Sequence, residues 1–182
     1  MLSSINLDAR NLITVRKADR KDVQSLSEKL SALLEDKTSQ VYQDNVAKFG
    51  IPQEYVKKAF AKETLLKAVD TGKVTFYLAF RGNELIGFAQ TIRQSIDIVE
   101  LDRIVVFPEH ARKGVGTLLL NEVIKDQKQE GVKSITVNAE KGEIHAKRFY
   151  EKTGFKQIKE AAIDTPWGKK LTLVTYQLCL EP

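Results

Sequence analysis

A strand, a glycine loop, a helix and a second strand follow one another from Ile96 to Ala139, and this succession constrains the fold more than any other feature. Ile96 to Phe107 reads as a strand that Pro108 stops, leading directly into the loop His110 to Gly116. Leu118, Leu119, Leu120, Val123 and Ile124 then lay an apolar stripe on a helix that Gly131 ends, and Ser134 to Ala139 supply the next strand. This is a crossover unit, the connection that neighbouring parallel strands require.

The rest of the chain keeps the pattern α/β, with strands in mixed directions. Ile13 to Arg16 reads as a first strand, and Asp19 caps a helix on which Val23, Leu26, Leu30 and Leu33 recur at helical spacing. Ser39 to Ile51 is polar and ends at Gly50 and Pro52; Val56, Phe60, Leu65, Leu66 and Val69 then continue helically to Gly72. A helical insert therefore precedes the main sheet. Val74 to Phe80 and Leu85 to Ile92 flank Gly82-Asn83, a two-residue hairpin turn. Further on, Glu143 to Thr153 is a helix ended by Gly154, and Phe155 to Glu160 pairs with Leu171 to Cys179 across a turn containing Pro166 and Gly168. No repeat, low-complexity segment or linker interrupts the 182 residues, so one domain is expected over 1–182. Its parts are a strand and helical insert over about 13–72, a core over about 73–160 and a C-terminal hairpin to about 180.

Composition removes several chemistries. The 29 Lys and Arg exceed the 24 acidic residues to give a net charge of +5, but they are scattered in pairs such as Arg16-Lys17 and Lys57-Lys58, which argues against a nucleic-acid partner. Cys179, the single cysteine, cannot form an intramolecular disulfide, and no stretch approaches the roughly 18 apolar residues of a membrane span. Met1 to Arg10 lacks the basic start and continuous apolar segment of a signal peptide, so a cytoplasmic location without a membrane partner is expected. The two histidines, His110 and His145, lie far from Cys179, and no metal site can be written. No Walker loop or Gly-x-Ser-x-Gly elbow occurs, and Leu119 stands where a dinucleotide fingerprint needs its third glycine.

What remains informative is Arg112-Lys113-Gly114-Val115-Gly116-Thr117, after a strand and opening a helix. Two glycines let the backbone fold closely around a ligand, successive N–H groups can share one concavity, and the helix start adds partial positive charge. Such a site suits phosphate, with Arg112 and Lys113 adding charge at the rim and Thr117 a hydroxyl. The same residues also read as a tight turn carrying two solvated cations.

The segment Leu101-Asp102-Arg103-Ile104-Val105-Val106-Phe107-Pro108-Glu109-His110-Ala111-Arg112-Lys113-Gly114-Val115-Gly116 resembles the acetyl-CoA-binding core of the GNAT family of N-acetyltransferases. Arg148-Phe149-Tyr150-Glu151-Lys152-Thr153-Gly154-Phe155 resembles that family's closing helix-to-strand motif. Both stand in the family's order and separation, and with the N-terminal strand, helices and hairpin the resemblance covers nearly the whole chain. It implies a GNAT-like α/β fold, a mixed central sheet of about seven strands with flanking helices in a single domain. It also implies acetyl-CoA as cosubstrate and no metal. The pyrophosphate would lie on the amides of Arg112, Lys113, Gly114, Val115, Gly116 and Thr117, and the pantetheine arm along Ile104, Val105 and Val106. At roughly 3.3 Å per residue the strand from Asp102 to Pro108 spans about 20 Å, which suits an extended pantetheine. The chain departs from the family pattern at Ala111, where Gln or Arg is usual, and at Glu143, where Asn is frequent.

Amide formation from a thioester needs a neutral amine, a polarised carbonyl and a protonated leaving thiolate. The resemblance puts Tyr150 beside the sulfur as the acid, and a phenol with a reference pKa of about 10 keeps its proton near neutral pH; the same residue also reads as an aromatic core residue next to Phe149. Glu100 and Asp102 are candidates for the base, since alternation places both on one strand face with Ile104 and Val106. Each also reads as a solvated or salt-bridged carboxylate, with Arg103 a structural residue on the opposite face. His110 and His145 read as surface histidines, Cys179 as a small packed side chain and Trp167 as a loop anchor or part of a substrate wall. The implied activity is direct attack by a primary amine on acetyl-CoA in a ternary complex, the acceptor being a polyamine, a small metabolite, or a protein N-terminus or lysine. The insert Tyr42 to Val69 and the hairpin Phe76 to Gln90 are loosely similar to small microbial polyamine-type acetyltransferases. A polyamine would want acidic residues such as Glu100, Asp102 or Glu63 in its cleft. Homodimers are common in the family and are the oligomer the resemblance allows. The alternative is a non-catalytic acyl-CoA-binding regulatory domain, which would keep the loop and tolerate Ala111 and Glu143.

Overall fold

Asp19 opens the first helix through a reciprocal cap: its carboxylate accepts from the Asp22 amide at 2.8 Å, and Asp22 accepts from the Asp19 amide at 2.8 Å. The computed structural model describes residues 12–180; the Met1 to Arg10 stretch considered for a signal peptide lies outside the described residues. Strand β1 (Ile13–Lys17) leads into α1 (Arg20–Glu35), and three further helical segments follow as α2 (Gln40–Tyr42), α3 (Gln53–Phe60) and α4 (Lys62–Asp70). Segment α2 runs on into a π-helical turn, Gln43–Ala47, within the stretch that the sequence shows only as polar. The hairpin β2 (Val74–Arg81) and β3 (Glu84–Arg93) turns at Gly82-Asn83, as the sequence predicts. After it come β4 (Ile98–Val106), α5 (Val115–Gln129), β5 (Ser134–Glu140), α6 (Ile144–Lys152), β6 (Lys156–Asp164) and β7 (Lys170–Cys179).

One seven-stranded sheet results, in the order β1-β2-β3-β4-β5-β7-β6. Every neighbouring pair is antiparallel except β4 and β5, the pair joined by the crossover through α5. Alternation along β2 divides the core between the two faces. Phe76 and Leu78 join Phe88, Phe107 and the α1–α4 side chains Val23, Leu26, Leu30, Val56, Phe60 and Leu65. Tyr77 and Ala79 join Val99, Leu101, Ile135 and the α5 side chains Val115, Leu119, Leu120 and Val123. Gly87 on β3 permits the closest approach, since a Cβ there would stand 2.7 Å from the Val105 carbonyl oxygen and 3.4 Å from Leu119 Cδ1.

Strand β4 begins at Ile98 rather than Ile96, because Ser95 turns the chain first. Its Oγ accepts from the amides of Asp97 at 3.3 Å and Ile98 at 3.2 Å. Two irregularities of β4 then shape the site. Thr91 pairs with Leu101 but Gln90 with Arg103, so Asp102 is an extra, bulged residue. The bulge reverses the face assignment: Val99 and Leu101 before it and Ile104 and Val106 after it all pack towards α5. Glu100 is therefore on the opposite face from Ile104 and Val106, which corrects the expectation from simple alternation. The second irregularity is a parting. β4 and β5 pair only at Ile98–Ser134, Val99–Ile135 and Glu100–Thr136, beyond which Leu101–Val106 and Val137–Glu140 diverge.

Cys179 is exposed rather than packed, because Tyr176 and Leu178 of β7 turn to the core and leave it on the other face. Among the described residues no helix is long and apolar enough to cross a membrane.

Candidate active site

The parted strands point into a loop whose backbone is held in an unusual form. After β4, a single 3₁₀ turn at Pro108–His110 closes with the Ala111 amide on the Pro108 carbonyl at 3.1 Å. Arg112 then adopts φ 59°, a left-handed conformation that no other non-glycine residue shows among the described residues, and Gly114 follows at φ 79° before α5 begins. A non-glycine residue there costs roughly 1–2 kcal/mol, a strain that concentrates at ligand-holding turns. The amides of Arg112, Lys113, Gly114, Val115, Gly116 and Thr117 donate to no acceptor among the described residues, and α5 has no side-chain cap. Val115 is buried and fixes the helix start, while Arg112, Lys113 and Thr117 are exposed around it. The result is a rigid ring of free N–H donors at the positive end of a helix, a cradle that fits a pyrophosphate.

The parting of β4 and β5 supplies the slot leading to that cradle. Ile104, Val105 and Val106 lie on the β4 side of the gap, with β3 occupying their other edge through Ala89, Phe88 and Gly87. An extended amide-bearing chain can pair with such an unfilled strand edge. Tyr150, on α6, is only 6 % exposed and surrounded by Phe149, Phe155 and Tyr176 at ring-centroid distances of 5.4, 5.4 and 6.0 Å. Burial, and secondarily the charge of Glu143, push its phenol well above the ordinary tyrosine range. The phenol therefore keeps its proton at neutral pH.

The two candidate bases separate. Asp102, on the bulge, lines the cleft beside Ile104 and Val106 and receives the Arg103 guanidinium at 2.8 Å. Arg103 in turn stands 5.7 Å from the Phe60 ring. Glu100 sits where the strands part, outside the cleft lining, accepting from Gln94 Nε2 at 2.7 Å and Asn138 Nδ2 at 3.1 Å.

The cleft itself, of about 540 Å³, opens between β4, the start of α6 and the π-helical turn. Its far wall is what the sequence did not disclose: Asp44, Asn45, Lys48 and Phe49 all reach it from the polar stretch before Pro52. The one available signal was the Asp44 and Lys48 spacing, which suits one helix face. Lys48 Nζ lies 2.6 Å from Glu143 Oε1, spanning the cleft, and Glu143 Oε2 also accepts from the Glu140 amide at 3.1 Å. Beside this tie, Trp167 Nε1 donates to the Phe49 carbonyl at 3.1 Å and Lys169 Nζ to the Lys48 carbonyl at 3.1 Å. Trp167 is thus a loop anchor and does not line the cleft. His145 is exposed on the cleft lining, and Glu63 on α4 does not reach it. His110 is buried at 3 % exposure, against the surface expectation, because the β2–β3 turn brings Glu84 Oε1 to 3.2 Å from its Nε2.

The model of the acetyltransferase (GNAT) domain matches residues 33–165, which takes in the insert, the parted strands, the loop and Tyr150. The chain belongs to the GNAT acetyltransferase family. Among curated GNAT relatives, it is 26% identical over 144 residues to spermidine N(1)-acetyltransferase of Thermoplasma acidophilum, covering 79% of this chain and 88% of that one. Among solved structures, the putative acetyltransferase yncA of Salmonella typhimurium with its cofactor acetyl-CoA superposes with a TM-score of 0.66 at 19% identity, covering 94% and 95% of the two chains. The ribosomal-protein-S18-alanine N-acetyltransferase of Escherichia coli superposes with a TM-score of 0.67 at 17% identity, covering 94% and 96%. These GNAT neighbours share the fold, and the seven-stranded mixed sheet with its flanking helices agrees with the sequence expectation.

Proposed function

We propose that this GNAT chain, acting as one catalytic domain, transfers acetyl from acetyl-CoA to a primary amine by direct attack in a ternary complex. The observation that carries this reading is the continuity of the β4–β5 gap with the unpartnered amides at Arg112–Thr117. In this reading those amides, with Arg112 and Lys113 at the rim, hold the pyrophosphate, and the Ile104–Val106 edge pairs with the pantetheine.

The neutral amine attacks the thioester carbonyl carbon, the C–N bond forms, and collapse of the tetrahedral centre breaks the C–S bond. Tyr150 gives its proton to the departing thiolate. Asp102, the better placed of the two carboxylates, draws the amine's proton through water, while Glu100 orients Asn138 at the mouth of the gap. The carboxylates Asp44, Asp102 and Glu143 along the cleft support a small cationic amine as acceptor, as does the spermidine named for the T. acidophilum relative.

The test is free-thiol release from acetyl-CoA against a panel of polyamines, amino acids, aminoglycosides and N-terminal peptides, run beside Tyr150→Phe. Acceptor-dependent release that falls about a hundredfold or more in the variant is expected. Coenzyme binding without release for any amine would contradict the reading and indicate a regulatory acyl-CoA-binding domain.

A further inference from the structure

One amine in the cleft belongs to the protein itself. Lys48 projects from just beyond the π-helical turn into the cleft and rests on Glu143, whose charge adds to burial in raising the Tyr150 phenol. Four residues before Lys48 on the same helical run, Asp44 also lines the cleft; among the described residues it has no cationic partner, only the Gln40 amide nitrogen at 2.8 Å. An Asp four residues N-terminal to a Lys is a favourable helical pairing. Lys48 therefore has two carboxylates within the reach of its flexible stem, one across the cleft and one on its own turn.

Resting on the acetyltransferase reading above, we infer that Lys48 is an internal place-holder for a second ammonium group of the acceptor, and so a specificity-determining residue for diamines and polyamines. When such an acceptor enters, its distal ammonium takes Glu143 and Lys48 swings to Asp44. One ion pair is exchanged for two, and no carboxylate in the cleft is left unpaired. A monoamine has nothing to offer Glu143, leaves Lys48 in place and meets a cleft still crossed by the Lys48–Glu143 tie. The ties from Trp167 and Lys169 to the carbonyls of Phe49 and Lys48 hold the backbone of this strap still, so that only the Lys48 side chain has to move.

The experiment compares kcat/KM for spermidine and for n-butylamine, and reads their ratio. Lys48→Met removes the internal competitor and should raise the ratio about three- to fivefold, the size of a partly exposed ion pair. Lys48→Arg, which keeps the pair, should stay near the native ratio. Glu143→Gln should lower the ratio about tenfold, because a charge-assisted contact to the distal ammonium is lost. Asp44→Asn should lower it too, and that loss should vanish in the Lys48→Met background, since Asp44 then has no ammonium to receive. An unchanged ratio in Lys48→Met, or an Asp44 effect that persists without Lys48, would overturn the inference. Acetylation of other amines with neither of these two accepted would overturn it while leaving the acetyltransferase reading intact. Absence of thiol release with every amine would remove the reading and the inference together.

Discussion

The two walls of the proposed site are built by different means. In the acetyltransferase reading the donor wall is backbone: a strand edge left open where β4 and β5 part, then a loop in which Arg112 and Gly114 turn left-handed. The acceptor wall is side chain: Asp44 and Lys48 from the helical insert, Asp102 from a bulge and Glu143 from the start of α6, residues brought together across most of the chain. A wall made of backbone can recognise a phosphate and an extended amide chain whatever the side chains nearby. A side-chain wall can be rewritten by single substitutions, so one scaffold can keep its donor while its acceptor changes.

The largest effect should come at the proposed acid. Tyr150→Phe is expected to lower kcat about a hundredfold or more, with little change in KM for either substrate, in steady-state thiol-release kinetics. A change confined to KM would make the tyrosine a binding residue instead. Because burial raises the phenol, its proton is kept to higher pH than in an ordinary tyrosine, and acid catalysis is lost only as pH rises through that raised value. The rate should climb as the acceptor amine deprotonates and show no decline up to about pH 10. A descending limb at a lower pH would contradict the assignment.

A donor-wall change comes next. Gly114→Val puts a β-branched residue at φ 79° and should raise KM for acetyl-CoA about tenfold, without the same rise in KM for the amine. Equal rises in both would erase the distinction between the walls. Gly87→Ala tests the scaffold beneath them: its methyl would stand 2.7 Å from the Val105 carbonyl, so a loss of about 1–3 kcal/mol is expected in denaturant titration. The smallest effect is on the acceptor side. Trp167→Phe deletes the bond to the Phe49 carbonyl, worth about 1 kcal/mol, and should raise the amine KM severalfold while leaving the acetyl-CoA KM near its native value.

The same contrast explains what was legible in the sequence. The strand, loop and helix of the crossover were readable because their signals are local: Pro108 stops a strand, Gly114 and Gly116 open a helix, and an apolar stripe from Leu118 to Ile124 returns the chain to a parallel strand. The helix carrying Tyr150 was readable through Gly154, which ends it. Along β4, however, alternation predicts one face for Glu100, Asp102, Ile104 and Val106, and the extra residue at Asp102 breaks that count; nothing in a run of half-buried residues announces a bulge. The π-helical turn was equally hidden, because it leads into Lys48 and Phe49, whose contacts with Glu143, Trp167 and Lys169 are all far away in sequence. His110 was misread for the same reason, its partner Glu84 being supplied by a hairpin turn.

The most direct test of the two-wall account is an amide-resolved NMR titration, first with desulfo-coenzyme A and then with spermidine added to that complex. The account predicts that the coenzyme analogue moves the amides of Ile104–Val106 and Arg112–Thr117, and that the amine then moves Asp44–Phe49 and Glu143–His145. Coenzyme-induced shifts confined to the insert, or no shifts in the Arg112–Thr117 loop at saturation, would contradict it.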